Sequence, residues 1–358
     1  MKKQLLFAAG FFLLLLSGAQ GQDSTRIRLL MMEGIRFHDR GQYTDAIKKY
    51  DSVLRIDPDH VFAQYEKSYS LMAVKNYKEA IALSQLVVKN QRADTGIIGS
   101  AYSTWGSALD EQGDHKKALS VYDEGIKKVP GYNMLNYNKA ITLLRTHQID
   151  AGVSELEASL LKNPRHLSSH LMLGRTMLLL RHSKIAALMP YMTYLLLDNR
   201  SEQALDVLGV VRGLVEGSVK KTDSNSYHIE LSGHSLKKKK NKKPADDDFK
   251  SIELLFKLGA AADASKTEGQ LPADRFASRL SSVIELLAGQ TGHTGFYGRF
   301  YLPFFSGLHE QQLAESFGHH IYTPSGNVMN EVWIQDHREQ MDRLKMWTQA
   351  YRWPGAGF

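Results

Sequence analysis

The 358-residue chain contains no cysteine. Disulfides, thiolate metal sites, thiol nucleophiles and a cysteine-borne lipid anchor are therefore excluded. Long apolar runs are also missing: beyond residue 16 no segment stays apolar for the roughly 20 residues that a membrane-crossing helix needs. There is no HExxH pair for zinc and no phosphate loop ending in lysine and serine or threonine. An excess of positive charge is missing outside two short stretches. The formal +7 includes Lys2, Lys3 and the six lysines of Lys237 to Lys243, and without those eight the chain stands at −1. A nucleic-acid binder spreads its cations along a face with stacking aromatics between them, so no nucleic-acid partner is expected.

What is present is an ordinary folded composition, 43% hydrophobic and 23% charged, in a chain long enough for a repeat array with a smaller appended domain. Residues 1–21 have the layout of a secretory signal. Lys2 and Lys3 form a basic head, Leu5 to Leu16 an apolar run, and Ser17 to Gly21 a small-residue stretch suited to cleavage after Ala19 or Gly21. Export to the periplasm, the cell envelope or the medium is the expectation, with an uncleaved N-terminal anchor as the alternative. Because no later run can span a bilayer, no transmembrane segment is expected after cleavage.

Two series of small residues run through the first half. Gly34, Ser68, Gly106, Ala140 and Gly174 are separated by 34, 38, 34 and 34 positions, and Ala46, Ala80, Ala118, Gly152 and Ala186 by the same intervals. Both carry the same slip of four, between Asp94 and Gly99. A shared period with a shared interruption marks a repeated structural unit. In the first unit Leu30, Gly34 and Phe37 recur at helical spacing, Gly41 marks a stop, and Ala46, Ile47, Tyr50 and Val53 outline a second helix. Small residues at the crossing let the two axes approach, and Tyr50 fills the space beyond. Pro58, Pro130 and Pro164 lie just past helix ends, where proline prevents continuation.

The set Gly34, Phe37, Ala46, Tyr50 and Pro58, repeated as Gly106, Leu109, Ala118, Tyr122 and Pro130, resembles the tetratricopeptide repeat family. The second unit departs with Ser84 at the aromatic position and Arg92 for proline. The fourth has Leu156 at the aromatic position, and the fifth places Pro190 inside its second helix, which should kink or delay it. The resemblance implies an all-α fold, a tetratricopeptide-type helical solenoid over residues 27–218 whose last segment, Ser201 to Ser218, is a capping helix. A smaller α-helical domain follows.

The resemblance further implies a non-enzymatic scaffold whose first helices line a concave surface for a protein or peptide partner. Given the signal-like start, the setting is the bacterial cell envelope. The inner positions are Met31, Ile35, His38, Phe62, Tyr65, Tyr69, Met134, Tyr137 and Ile141. Of these, Ile35, Tyr65, Tyr69, Met134, Tyr137 and Ile141 are the candidate partner-binding residues for an apolar or aromatic segment. The alternative is that Tyr65, Tyr69 and Tyr137 pack between units or beneath the C-terminal region.

Residues 219–248 read as a charged linker. Tyr227, Ile229 and Leu231 alternate with polar residues as in a short strand, and Lys237 to Lys243 then adjoins Asp246 to Asp248. Weak contact of that lysine tract with an anionic envelope surface is one reading of it. Residues 249–358 are helical without the 34-residue period, packed on the array or tethered to it. Expected helices are one around Phe249 to Leu258, one from Pro272 to Leu287 closed by Gly289, one over Phe300 to Phe317, and a long one from Asn330 to Tyr351. The turn with Gly292, Gly295 and Gly298 among His293, Phe296, Tyr297 and Phe300 is the candidate functional loop of this half.

Two enzymatic alternatives place a site in the C-terminal half. His309, Glu315 and His319 would face one metal only if a single helix carried all three. Gly233, His234 and Ser235 begin like a nucleophile elbow, but Lys237 replaces the closing glycine. A structural subunit of an envelope assembly is a further alternative. No cofactor is expected.

Overall fold

The computed structural model describes residues 23–216, 249, 252–253, 255–256 and 269–355, together with the backbone of two short strands. The signal-like start and the lysine tract lie outside the described residues. Two compact units divide the chain, the first reaching to Glu155 and the second running from Leu156.

In the first unit helices follow one another in pairs: α1 (residues 23–39) with α2 (Tyr43–Ile56), α3 (Val61–Ala73) with α4 (Tyr77–Lys89), and α5 (Thr95–Glu111) with α6 (His115–Lys128). Then comes α7 (Asn133–Arg145), whose partner α8 (Ile149–Lys162) runs across the division. From α2 to α7 each helix packs on its neighbour in sequence, and α5 also packs on α3 and on α7. The small residues do what the period requires. A methyl group on Gly34 would lie 2.5 Å from the Tyr50 ring, and one on Gly106 would strike Tyr122, so each tyrosine rests directly against the glycine backbone across the pair. The second pair has serines at both places, Ser68 and Ser84, and buries both.

The slip of four has a plain structural form. Helix α5 is 17 residues long where α3 and α7 have 13, so the insertion adds about one turn and leaves the same face toward the stack. Asp94 caps the longer helix by accepting from the Ile97 N–H at 2.8 Å.

The second unit starts in α8 and contains the pair α9 (Leu167–Leu179) and α10 (Lys184–Leu197), then α11 (Glu202–Glu216). Pro190 neither delays nor ends α10, which has the 14 residues of α2. The aromatic role passes to the next residue: a methyl group on Gly174 would lie 2.8 Å from the Tyr191 ring. The expected strand is present as β2 (Ser226–Ile229), paired antiparallel with β1 (Val219–Asp223).

The C-terminal helices are α12 (Pro272–Ala288), α13 (Phe296–Phe300), α14 (Leu302–Glu310), α15 (Ala314–Tyr322), α16 (Val328–Asp336) and α17 (Arg338–Ala350). Helix α12 has Pro272 in its first turn and Gly289 at its end, as its sequence indicates. It packs on α11, α14 and α15, while α10 packs on α15, so the bundle is packed on the last repeat helices. Two expectations are corrected. The single helix over Phe300 to Phe317 is broken after Glu310, and the long final helix is broken at His337, which leaves helical geometry while its Nδ1–H donates to the Trp333 carbonyl at 2.9 Å. The bundle core is aromatic: Phe300, Phe304, Phe305 and Phe317 are fully buried, and Phe304 stacks on Trp353 at 4.8 Å. Gly318 permits a close approach of α15 to α12, since a methyl group there would lie 2.7 Å from the Ala277 backbone.

Candidate partner-binding face

Of the first helices α1, α3, α5 and α7 in the first unit, α1, α3 and α7 carry the candidate residues. On α3, Phe62, Tyr65 and Tyr69 follow at steps of three and four, so they share one stripe. Their rings stack in series, Phe62 on Tyr65 and Tyr65 on Tyr69, each at 6.3 Å between centroids. His38 of α1 extends the row by stacking on Tyr69 at 4.8 Å, and its Nδ1 is hydrogen-bonded to Ser70 at 2.8 Å. Burial lowers the His38 pKa, which keeps the ring neutral beside the tyrosine.

Exposure separates these residues. Tyr69 is 47% and Phe62 38% exposed, whereas Ile35, Tyr65, Met134, Tyr137 and Ile141 are half-buried. Tyr65 also packs between repeats, against Val61, Val87 and Ala101, and burial raises its pKa to about 12, while Ser100 of α5 meets the Tyr132 hydroxyl at 2.9 Å. Tyr65 is thus packed between repeats, and Tyr69 is open to solvent. Met31 is not on the face: it is buried with Ala46, Tyr50, Val53 and Ala63.

The six candidates do not form one patch. Helix α5 lies between α3 and α7, and its matching positions hold Ser100, Ser103 and Ser107. All three serines are engaged, Ser103 by the Asn138 amide at 2.5 Å and Ser107 by the Tyr122 hydroxyl at 3.1 Å. An aromatic stripe on α3 and an apolar one on α7 therefore flank a hydroxyl-lined strip. The serines at 100, 103 and 107 have the same helical spacing as the aromatics, and that is the signal by which the strip could have been read from the sequence. At the end of the strip Asp110 is held by Arg145 at 2.8 Å and by His115 at 2.7 Å, while Arg145 also reaches Glu111 at 3.1 Å.

This geometry bears out the helical pairing deduced from the small-residue series. The paired helices form an all-α array like that of tetratricopeptide repeats. The tetratricopeptide repeat model matches residues 31–95. A stretch of 108 residues is 32% identical to tetratricopeptide repeat protein 33 of Xenopus laevis, covering 30% of this chain and 38% of that protein. The chain thus matches well under half the length of that relative. Among solved structures, similar chains include PilW, titled a widely conserved type IV pilus biogenesis factor, at 16% identity. It has a TM-score of 0.41, over 53% of this chain and 90% of that one. Another is YrrB, titled a tetratricopeptide protein with an unusual peptide-binding site, at 16% identity and a TM-score of 0.35, over 50% and 90% of the two chains.

The histidine-rich C-terminal half does not build the metal site weighed above. His309 and Glu315 are exposed on α14 and α15, while His319 is fully buried. Its Nδ1 is hydrogen-bonded to Asn330 Oδ1 at 2.8 Å and its ring stacks on Trp333 at 3.6 Å. Among the described residues no group of three or more histidine, aspartate or glutamate side chains is placed to hold a metal. The aromatics after the glycine-rich turn are core, since Phe296, Tyr297, Phe300 and Tyr301 are all buried, while Gly292 is exposed and His293 and Gly295 are half-buried. Ser235 lies outside the described residues.

Proposed function

We propose that this protein is a non-enzymatic scaffold of the bacterial cell envelope that holds a partner protein through an apolar or aromatic peptide segment lying across the first helices of its repeats. The observation that carries the reading is the open aromatic stripe of α3. Phe62 and Tyr69 are large rings left exposed on a helix whose other aromatic, Tyr65, packs against Val61, Val87 and Ala101. Rings pre-stacked in this way lose little freedom when a ligand covers them, which favours them as anchors. Met134, Tyr137 and Ile141 on α7 supply a second apolar stripe, and the serine strip between them would lie under the peptide backbone. The envelope setting is supported by the signal-like residues 1–21.

The test replaces Tyr69 with a photo-crosslinking residue in the native host, identifies the captured protein, and measures its binding to the purified chain. Phe62→Ala with Tyr69→Ala should weaken that binding by roughly 30-fold or more, as expected for two aromatic anchors. Unchanged affinity in the double variant would exclude this face as the site.

A further inference from the structure

The first helix of the array leaves a packing position open. Leu29 and Met32 of α1 are 57% and 53% exposed, one turn apart on the face opposite Ile27, Leu30 and Met31, which pack inward. At the positions equivalent to Leu29 in the later units stand Ala63, Ala101, Leu135 and Ser169, and each is 0% exposed. This is the surface that a preceding unit would cover. Where an array simply ends in water that face is polar. Here it carries two of the larger apolar side chains.

The charges beside the pair indicate what covers it. Arg26 and Glu33 are seven residues, two turns, apart and therefore lie on one flank of α1, one before and one after Leu29 and Met32. When two copies of α1 are laid antiparallel across a two-fold axis, Leu29 meets the partner's Met32, and Arg26 meets the partner's Glu33 twice over. Such a self-complementary arrangement is what an isologous contact requires. Glu33 already faces Lys49 at 2.6 Å, and its second oxygen can accept Arg26 from the other copy.

We infer that the protein self-associates through the outer face of α1, forming a two-fold dimer in which Leu29 and Met32 are mutually buried and Arg26 pairs with Glu33 across the axis. A contact of this size is small, so the dimer is reversible and concentration-dependent.

Sedimentation velocity from roughly 1 to roughly 200 µM, the range suited to a small interface, tests it on both the full chain and the form starting at Gln22. Both forms should show a monomer–dimer equilibrium. Leu29→Glu with Met32→Glu should raise the dissociation constant by roughly 100-fold while leaving the circular dichroism and melting temperature unchanged. Arg26→Glu and Glu33→Arg should each weaken the dimer, and the two together should restore it. A monomer throughout the concentration range, a dimer insensitive to Leu29→Glu and Met32→Glu, a charge exchange that does not rescue, or association confined to the full chain would each overturn the inference.

Discussion

Between the two helices of each unit, one residue adopts left-handed backbone geometry. Gly41 and Gly113 do so with φ of 74° and 83°, but in the second and fourth units the same position holds Lys75 and His147, at 62° and 60°. Glycine takes this conformation freely, while a residue with a Cβ meets its own carbonyl at a cost of about 1 kcal/mol. Lys75→Gly and His147→Gly should therefore each stabilise the protein by about 0.5–1 kcal/mol, seen as a raised urea midpoint with an unchanged slope. A lower midpoint in either variant would show that the lysine or histidine side chain makes a compensating contact.

At the scale of the element, the first unit uses one device twice. Lys67 on α3 reaches Asp51 of the preceding pair at 2.9 Å and Glu79 of its own pair at 2.6 Å, and 72 residues later Lys139 on α7 reaches Asp123 and Glu155, each at 2.6 Å. Burial lowers the pKa of both lysines, but the paired carboxylates outweigh it and the net direction is up, so both stay charged. The two clamps differ in shielding. Glu155 is the more enclosed acid, 18% exposed, and also takes the Asn136 amide at 2.6 Å, whereas Asp51 and Glu79 are 39% and 45% exposed. Lys139→Ala should cost about 1–3 kcal/mol, and Lys67→Ala no more than about 1 kcal/mol with a loss that fades in high salt. Equal losses in chemical denaturation of the two variants would show that shielding does not set the strength of the clamp.

At the scale of the molecule, the second compact unit is organised around buried neutral histidine. His170 of α9 is fully buried, its Nε2–H donating to the Pro164 carbonyl at 2.8 Å and its Nδ1 accepting from the Tyr301 hydroxyl at 2.8 Å. It thus joins a repeat helix to the bundle. Burial pushes its pKa down to about 4, and burial likewise lowers those of His166, His319 and His320. A histidine with a depressed folded-state pKa is protonated first in the unfolded chain. Stability is therefore complete above the unfolded value near 6.5, falls as pH drops toward 4, and levels below it, at about 1.4 kcal/mol per pH unit for each such group. From pH 7 to pH 5 the protein should lose about 2 kcal/mol through His170 alone. Denaturation at the two pH values should show that difference, and His170→Gln should flatten the dependence whatever its own effect at pH 7.

Much of the array was legible in the amino-acid sequence because its packing is local and periodic. Gly34, Gly106 and Gly174 mark where helices of one pair touch, and the touching tyrosine lies within about 20 positions, so period and slip survive in one dimension. That α5 absorbs the slip as a whole turn, that Tyr191 replaces the expected aromatic beside Pro190, and that Met31 turns inward were decided by packing against neighbours. The candidate face was half legible: helical spacing placed Tyr65 and Tyr69 together and also spaced Ser100, Ser103 and Ser107, but the exposure of Tyr69 against the half-burial of Tyr65 was set by the stack. In the C-terminal half, contacts such as His170 with Tyr301 join residues 131 positions apart, and no repeat echoes them. The sequence by itself determined the helical pairs, since their energetics lie between near neighbours. Tertiary structure alone decided which rings remain open to solvent and which histidines are sealed from it, because burial depends on what the distant chain brings alongside.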